Sequence, residues 1–297
     1  MVGKQERRYQ RMITVVLALI SLIMVIPLVL LVVASFTSNN EIVLHGYSFF
    51  PKELSLEAYR YIWNERAQVF HAYGITILVT AIGTTIGVMM TLLYAYVLAH
   101  EKFPGKTFLA FYLFFTMLFN GGLVPTYIMY TRYLHMKNTI PALIIPGLLM
   151  SAFNVILTRT YIQSNVPAAL SEAAKIDGAT EFQVFRKVVL PMCKPIIATV
   201  GLFAGLGYWN DWTNGLYYIT DTNKFSIQQL LNNMIKNIEF LSKNANSNIN
   251  LASVGGGIPQ ETVRMAIAIV GLLQILIVFP FVQKYFVKGI SIGAVKG

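Results

Sequence analysis

The chain has very few of the residues that form disulfides, metal centres or nucleophilic active sites. Its 297 residues include one cysteine, Cys193, and four histidines. A single cysteine cannot form a disulfide within the chain. The histidines, which stand at positions 45, 71, 100 and 135, show no metal-ligand spacing, and no nucleophile motif is evident. The sequence therefore predicts neither a metal site nor a catalytic residue.

A complete nucleotide-binding motif is also missing. Gly105-Lys106-Thr107 resembles the end of a phosphate-binding loop, but His100 occupies the position at which that loop requires its first glycine. These residues also lie at a junction between two apolar segments, which is the wrong context for a phosphate loop. We therefore expect this chain to bind no nucleotide cofactor.

Charged residues are scarce as well, at 12% of the chain, whereas 56% of the residues are hydrophobic and the mean hydropathy is +0.59. Such a chain is too apolar to be an ordinary soluble domain of this length. Six apolar stretches each have about the 20 residues that a helix needs to cross ~30 Å of hydrocarbon. The sequence thus predicts an all-α membrane protein with six transmembrane helices, near Ile13 to Ala34, Ala72 to Ala99, Thr107 to Thr131, Asn138 to Thr158, Pro195 to Ile219 and Met265 to Gln283.

The formal net charge of +10 is distributed unevenly between the two sides of these spans. With the N-terminus placed inside the cell, the inner segments contain fourteen of the 23 basic residues and five of the 13 acidic residues. Their net charge is then +9, against +1 for the outer segments. This asymmetry follows the positive-inside rule. It predicts that both termini are cytoplasmic, and it accounts for the basic composition without a nucleic-acid site.

The spans divide the chain into three parts. Residues 1–70 are predicted to form a cytoplasmic tail, the first transmembrane helix and an outer loop with a short helix after Ser55. Residues 71–284 contain the other five helices, and residues 285–297 form a short cytoplasmic tail. The last outer loop, residues 220–263, contains apolar residues at helical spacing, so we expect an amphipathic helix near Phe225 to Ser242.

The segment from Pro167 to Pro191, which we call the paired-helix segment, has the signals of two short helices. Pro167 is suited to the first turn of a helix, and Gly178 can adopt the positive φ that ends one. Thr180 and Gln183 have the three-residue spacing of a capping box. Apolar residues then recur at helical intervals up to Pro191. The pattern predicts a compact helix-turn-helix on the inner side of the membrane.

Glu172-Ala173-Ala174, Asp177-Gly178-Ala179 and Leu190-Pro191 in this segment resemble the coupling loop of binding-protein-dependent ABC importer permeases. Residues 120–127 and 283–297 are similar to carbohydrate permeases of that family. The resemblance implies the type I ABC importer permease fold, with a coupling loop at residues 163–195 that docks onto an ATPase. It implies these ATPase-coupling residues: Glu172, Ala173, Ala174, Asp177, Gly178, Phe182, Phe185, Leu190 and Pro191.

The resemblance further implies that the chain is a permease subunit of an ATP-driven oligosaccharide importer in the bacterial cytoplasmic (inner) membrane. Its expected partners are a second homologous permease, two ATP-binding subunits that carry ATP and Mg²⁺, an extracytoplasmic solute-binding protein and the lipid bilayer. An ion-coupled secondary solute transporter is the alternative, because six spans with a kinked third helix also fit that class. Against it, no second charged residue pairs with Asp211 inside a span.

Polar and aromatic residues in the third and fifth spans are candidates for the substrate path. Asn120 and two neighbouring glycines interrupt the third span, where freed backbone groups have to face protein or water. Asp211 lies within or at the rim of the fifth span, which is costly for a carboxylate unless it faces a polar cavity or a partner. Around it, residues four apart form two helical stripes, one aromatic and one of amides. The predicted path residues are Asn120, Tyr208, Asn210, Asp211, Trp212 and Asn214, with an interfacial aromatic belt as the alternative.

Overall fold

The structure, a computed structural model, describes residues 4–100, 103–245 and 260–272. Within these ranges the regular elements are helices, and paired extended backbone is limited to one bridge between Thr37 and Leu54. The chain divides into two compact units, residues 1–69 with 231–274, and residues 70–230 with 275–297. The predicted all-α class is confirmed. The count of six spans, the orientation of the termini and the three-part division stay predictions.

The first unit begins with the helix expected as the first span. Helix α1, Lys4–Ser35, contains an apolar stretch, Arg8–Ser35, that is long and apolar enough to cross a membrane. Two short helices follow, α2 (Asn39–His45) and α3 (Glu57–Asn64). Helix α3 is the short helix predicted after Ser55.

The longest helix among the described residues is α4, Arg66–Ala99, which is also long and apolar enough to cross a membrane. Two of its glycines lie against other parts of the second unit. A Cβ at Gly83 would be 2.4 Å from the Tyr208 ring, and one at Gly87 would be 2.7 Å from the carbonyl oxygen of Leu149. Because both distances are far below van der Waals contact, this packing requires glycine at the two positions.

The third predicted span consists of two helices joined at a sharp bend. Helix α5, Lys106–Leu118, ends shortly before Asn120. Helix α6, Leu123–Ile128, then continues into the π-helical turn Met129–Tyr133. The two parts are bent by 114°. The kink predicted at Asn120 and the following glycines is therefore confirmed.

The fourth predicted span, Asn138 to Thr158, is not a continuous helix, so that expectation is wrong. The chain instead forms α7, Pro141–Ile144, then an irregular stretch, and then α8, Ala152–Asn165. Pro146 has no backbone N–H to donate, and Gly147 adopts a φ of +72°. Together these residues interrupt the helical hydrogen bonding.

The fifth predicted span is interrupted near its C-terminal end. Helix α12, Lys194–Trp209, is followed by irregular residues 210–212 and by α13, Thr213–Tyr218. The two side-chain stripes predicted across residues 208–214 require an unbroken helix. That part of the prediction is therefore wrong.

The paired-helix segment contains α9, Ala168–Ile176, and a second helical run of α10 (Glu181–Val184), a π-helical turn (Phe185–Val189) and α11 (Leu190–Met192). The second run packs into a core that α4, α5, α8 and α12 complete. The buried members of this inner core are Val88, Leu92, Ala95, Leu98, Leu113, Val155, Ile162, Val184, Phe185, Val189, Cys193, Ile196 and Val200.

After the short 3₁₀ turn Thr222–Lys224 the chain forms α14, Ile227–Ala245. Its buried apolar residues recur at helical spacing, so the predicted amphipathic helix is confirmed: Ile227, Leu230, Leu231, Met234 and Ile238. Residues 260–272 are helical and include the start of the sixth predicted span. The rest of that span and the predicted C-terminal tail lie outside the described residues.

We predict that Gly83→Ala destabilises the protein, because the new methyl group would displace the Tyr208 ring. Overpacking of this kind costs ~1–3 kcal/mol. Thermal unfolding of the detergent-solubilised protein measures the effect. Gly74→Ala is the matched control, since Gly74 is in the same helix and nothing lies within 4 Å of its Cβ position. Equal melting temperatures for the two variants would contradict the predicted contact.

Candidate coupling segment and substrate path

The turn of the paired-helix segment has the geometry that its sequence predicts. Gly178 adopts a φ of +84°, which favours glycine, and it stands two residues after the end of α9 at Ile176. The backbone N–H of Thr180 donates to Gln183 Oε1 at 2.9 Å, and the backbone N–H of Gln183 donates to Thr180 Oγ1 at 3.4 Å. These two bonds form the predicted capping box. The helical run that follows ends at Met192, one residue beyond the predicted stop at Pro191.

One side of the segment is fixed in the protein interior. The Phe185 side chain is 4% exposed, and its ring centroid lies 5.2 Å from that of Tyr96 on α4. Val184 and Val189 are buried in the same core, and Ala174 and Leu190 are half-buried against it. The prediction that the Phe185 side chain contacts an ATPase is therefore wrong. This side chain is buried and anchors the segment to the rest of the chain.

The other side of the segment is exposed. The predicted coupling residues on this side are Glu172, Ala173, Asp177, Gly178, Phe182 and Pro191. Phe182 is 66% exposed, and Ile176 is 86% exposed. The sequence reasoning missed Ile176, for which the available signal was a large apolar residue directly before the predicted Asp177-Gly178 turn. Two large apolar side chains on either side of one turn form a surface suited to a partner groove.

A cluster of polar groups joins the two helices of the segment to α4. The carboxylate of Glu181 forms an ion pair with Lys175 and accepts a hydrogen bond from Tyr96 Oη at 2.9 Å. His100 Nε2 lies 3.9 Å from the same carboxylate. Lys175 is the main cause of a lowered pKa for Glu181, with a further contribution from the Tyr96 hydroxyl. The carboxyl group therefore stays ionised at neutral pH.

Two of the predicted path residues instead support the interrupted fourth segment. Tyr208 is 2% exposed, and its hydroxyl donates to the carbonyl of Ile144 at 3.0 Å. The side-chain amide of Asn214, also buried, donates to the carbonyl of Pro146 at 2.9 Å. Both side chains thus satisfy carbonyl groups that the end of α7 leaves without helical partners.

The remaining path candidates lie in two separate elements. Asp211 Oδ1 accepts the backbone N–H groups of Thr213 and Asn214, at 3.0 and 3.2 Å, so this carboxylate caps the start of α13. Asn210 and Trp212 next to it are at least partly exposed, Trp212 at 41%. Asn120 belongs to the bend between α5 and α6, where its side chain accepts the N–H of Gly122 at 2.8 Å.

A cavity of about 370 Å³ lies beside the interrupted fourth segment. Its polar side chains are Thr91, Ser151 and Asn154, and its aromatic ones are Phe153 and Phe203. The other lining residues are Gly87, Gly147, Leu148, Leu149, Ala204 and Gly207. The sequence reasoning missed this cavity. Pro146-Gly147 inside an apolar stretch was the available signal, because irregular backbone at membrane depth occurs where it lines a cavity or is buried in protein.

No group of three or more metal-ligating side chains comes together within residues 4–100, 103–245 and 260–272. Cys193 is buried in the inner core, and burial raises the pKa of its thiol to about 11. A thiol in that state is a poor nucleophile and a poor metal ligand.

Known proteins resemble the chain over its full length. It is 35% identical to the polygalacturonan/rhamnogalacturonan transport system permease protein YtcP of Bacillus subtilis, over 99% of this chain and all of that protein. Protein LplC of the same organism is 34% identical over 93% of this chain and 90% of its own length. Among solved structures, a bacterial ABC transporter involved in the import of the acidic polysaccharide alginate matches with a TM-score of 0.78 and 27% identity. That match covers 96% of this chain and 99% of the other.

The family of binding-protein-dependent transport system inner membrane components matches residues 83–292. This range contains the paired-helix segment, the interrupted fourth segment and the cavity beside it. Members of the family are permease subunits, which explains why the chain carries no nucleotide-binding motif of its own. The chain belongs to the family of binding-protein-dependent transport system inner membrane components, as a permease of an ABC transporter.

Proposed function

We propose that the chain is a permease subunit of an ATP-driven importer that carries an oligosaccharide across the bacterial cytoplasmic membrane. It would assemble with a second homologous permease, two ATP-binding subunits and an extracytoplasmic solute-binding protein. The names of its relatives support the substrate class, since they include transporters of polygalacturonan or rhamnogalacturonan and of arabinooligosaccharides. The observation that carries the proposal is the paired-helix segment, which is anchored on one side and exposed on the other.

The segment has the mechanical properties that an ATPase contact requires. Its turn is fixed by Gly178 and by the capping box, so the exposed Ile176 and Phe182 hold a defined spacing. Its second helical run contributes Val184, Phe185 and Val189 to the core shared with four membrane helices. A push on the exposed side would therefore move the helices and not merely bend a loop.

The cavity beside the fourth segment is the best candidate for a sugar-binding part of the path. Sugars bind through hydroxyl groups, which need polar partners, and through apolar ring faces, which stack on aromatic side chains. Thr91, Ser151 and Asn154 offer the first kind of contact, and Phe153 and Phe203 offer the second. Tyr208 and Asn214 would act indirectly, by holding the carbonyls of Ile144 and Pro146 at the edge of this cavity.

An ion-coupled secondary transporter is disfavoured by the family, whose members depend on a separate binding protein. The position of Asp211 agrees with this. Its carboxylate accepts two backbone N–H groups at the start of α13, so a local structural role explains it without an ion pathway.

We predict that Gly178→Val and Glu172→Lys each uncouple ATP hydrolysis from uptake. Valine is strained at a φ of +84°. Lysine at position 172 puts a positive charge where the exposed Glu172 side chain has a negative one. Copurification first shows whether ATP-binding subunits accompany the permease. ATPase activity and uptake of a panel of labelled oligosaccharides are then measured in proteoliposomes that contain the whole complex and the binding protein.

Gly74→Val and Glu57→Lys are the controls, since each makes the same substitution outside the segment. We expect them to keep the wild-type ratio of sugar imported to ATP hydrolysed. Normal ratios in both segment variants would refute the coupling role. A wild-type complex without an associated ATPase, or without uptake of any oligosaccharide, would refute the proposed function.

We predict that Asn154→Leu raises the KM for oligosaccharide uptake roughly 5- to 150-fold, because it removes hydrogen bonds worth about 1–3 kcal/mol from the cavity wall. Thr160→Val is the control, since it replaces an exposed polar side chain of the same helix. Uptake assays over a range of sugar concentrations separate KM from the maximal rate. An unchanged KM would exclude the cavity from the sugar path.

The group around Asp211 has its own test. We predict that the combined change Asn210→Ala, Asp211→Asn and Trp212→Ala lowers oligosaccharide uptake. Asparagine at position 211 can still cap α13, so the test addresses the charge and the contact surface and not the fold. Wild-type uptake by this triple variant would exclude residues 210–212 from the substrate path and favour the interfacial aromatic belt.

A further inference from the structure

The carboxylate of Glu181 is the meeting point of three helices. Glu181 itself begins α10, Lys175 stands in the last turn of α9, and Tyr96 belongs to the inner end of α4. His100, directly after α4, lies 3.9 Å from the same carboxylate and packs edge-on against the Tyr96 ring, with centroids 4.5 Å apart. The proposed ATPase contact uses the exposed face of the segment and makes no use of this cluster.

Stability alone does not explain the cluster well. Glu181 and Lys175 have side-chain exposures of 60% and 39%. Ion pairs between exposed groups contribute little to the free energy of unfolding. The carboxylate instead fixes geometry. It holds the end of α9 and the start of α10 at defined positions relative to the Tyr96 hydroxyl.

The apolar contacts between the segment and α4 lack this directional control. Val184 and Phe185 pack against residues of α4 in the inner core. Such contacts resist separation, but hydrophobic attraction is non-directional and does not by itself select one register. The hydrogen bond from Tyr96 to Glu181 breaks when the two elements slide, so it fixes the register between them.

Helix α4 also reaches the cavity. Gly87 and Thr91, which line the cavity, are on the same unbroken helix as Tyr96. Thr91 and Tyr96 are about 8 Å apart along the helix axis, at ~1.5 Å per residue. A displacement of the segment that pulls on Tyr96 would therefore move one wall of the cavity.

We infer that Glu181 is a positioning residue that fixes the paired-helix segment to the inner end of α4, so that movement of the segment is transmitted to the cavity wall. This inference rests on the proposed function. The ATPase side of the segment and the sugar side of α4 are then linked by one carboxylate and not only by core packing.

The test uses the whole complex in proteoliposomes, with the binding protein and a transported oligosaccharide. Glu181→Ala and Tyr96→Phe should each lower the amount of sugar imported per ATP, by roughly 2- to 30-fold for a site in a coupling network. Tyr96→Phe is the sharper variant, because it removes the hydroxyl and keeps the ring that packs on Phe185 and His100. ATP hydrolysis in the absence of sugar should persist in both variants.

Tyr94→Phe is the matched control. It removes a tyrosine hydroxyl from the same turn of α4, where that hydroxyl donates to the carbonyl of Leu109 on α5 at 3.0 Å. Both phenylalanine variants should lower the melting temperature to a similar degree, and Tyr94→Phe should keep the wild-type import per ATP. A merely structural role for Glu181 would instead give the two variants the same import per ATP.

A conservative variant supplies the second arm. Glu181→Gln removes the ion pair with Lys175 but keeps a side-chain oxygen that can accept from Tyr96 Oη, so it should retain more import per ATP than Glu181→Ala. Wild-type import per ATP in Glu181→Ala, or equal losses in the alanine and glutamine variants, would overturn the inference. If the wild-type complex itself does not link ATP hydrolysis to uptake, the proposed function is wrong. If only the Glu181 and Tyr96 variants behave like the wild type, the inference about Glu181 is wrong and the proposed function stands.

Discussion

Inside a membrane, a backbone carbonyl that leaves a helix has to find a donor in the protein or in a water-filled cavity, and this requirement organises the second unit. The chain breaks its fourth apolar stretch at Pro146 and Gly147, which frees carbonyl groups at the end of α7. Tyr208 and Asn214 donate to two of them. The Tyr208 ring can reach Ile144 only because Gly83 carries no side chain. The Tyr208 side chain therefore joins α12 to α7 by a hydrogen bond and to α4 by the packing of its ring against Gly83.

The same break creates the space that a transported molecule needs. A straight helix across residues 145–151 would present a closed surface to α4, whereas the irregular stretch leaves a cavity with Asn154 and Ser151 at its wall. Gly87 again has no room for a side chain, here against the carbonyl oxygen of Leu149. Helix α4 thus meets the interrupted segment at Gly87 and its supporting tyrosine at Gly83, and the carbonyls of Ile144 and Pro146 have donors within the protein.

The sequence predicts features whose causes lie in neighbouring residues. The turn at Gly178, the capping box of Thr180 and Gln183 and the bend after Asn120 each depend on a few adjacent positions, and the structure has all three. The inward direction of Phe185 and the support that Tyr208 gives to Ile144 depend on distant elements, so spacing along the chain does not reveal them. The break at Pro146 had a local signal, but high hydropathy on both sides made the stretch resemble a continuous span.

The two faces of the paired-helix segment have opposite physical requirements, and the fold meets both. Ile176 and Phe182 are 86% and 66% exposed, which is unfavourable in water and becomes favourable when a partner covers them. Binding is strongest when the binding surface is already ordered, because association then carries little additional entropic cost. The core contacts of Phe185 and the capping box provide that order from within the chain. The exposed face is thereby ordered by contacts within the chain itself.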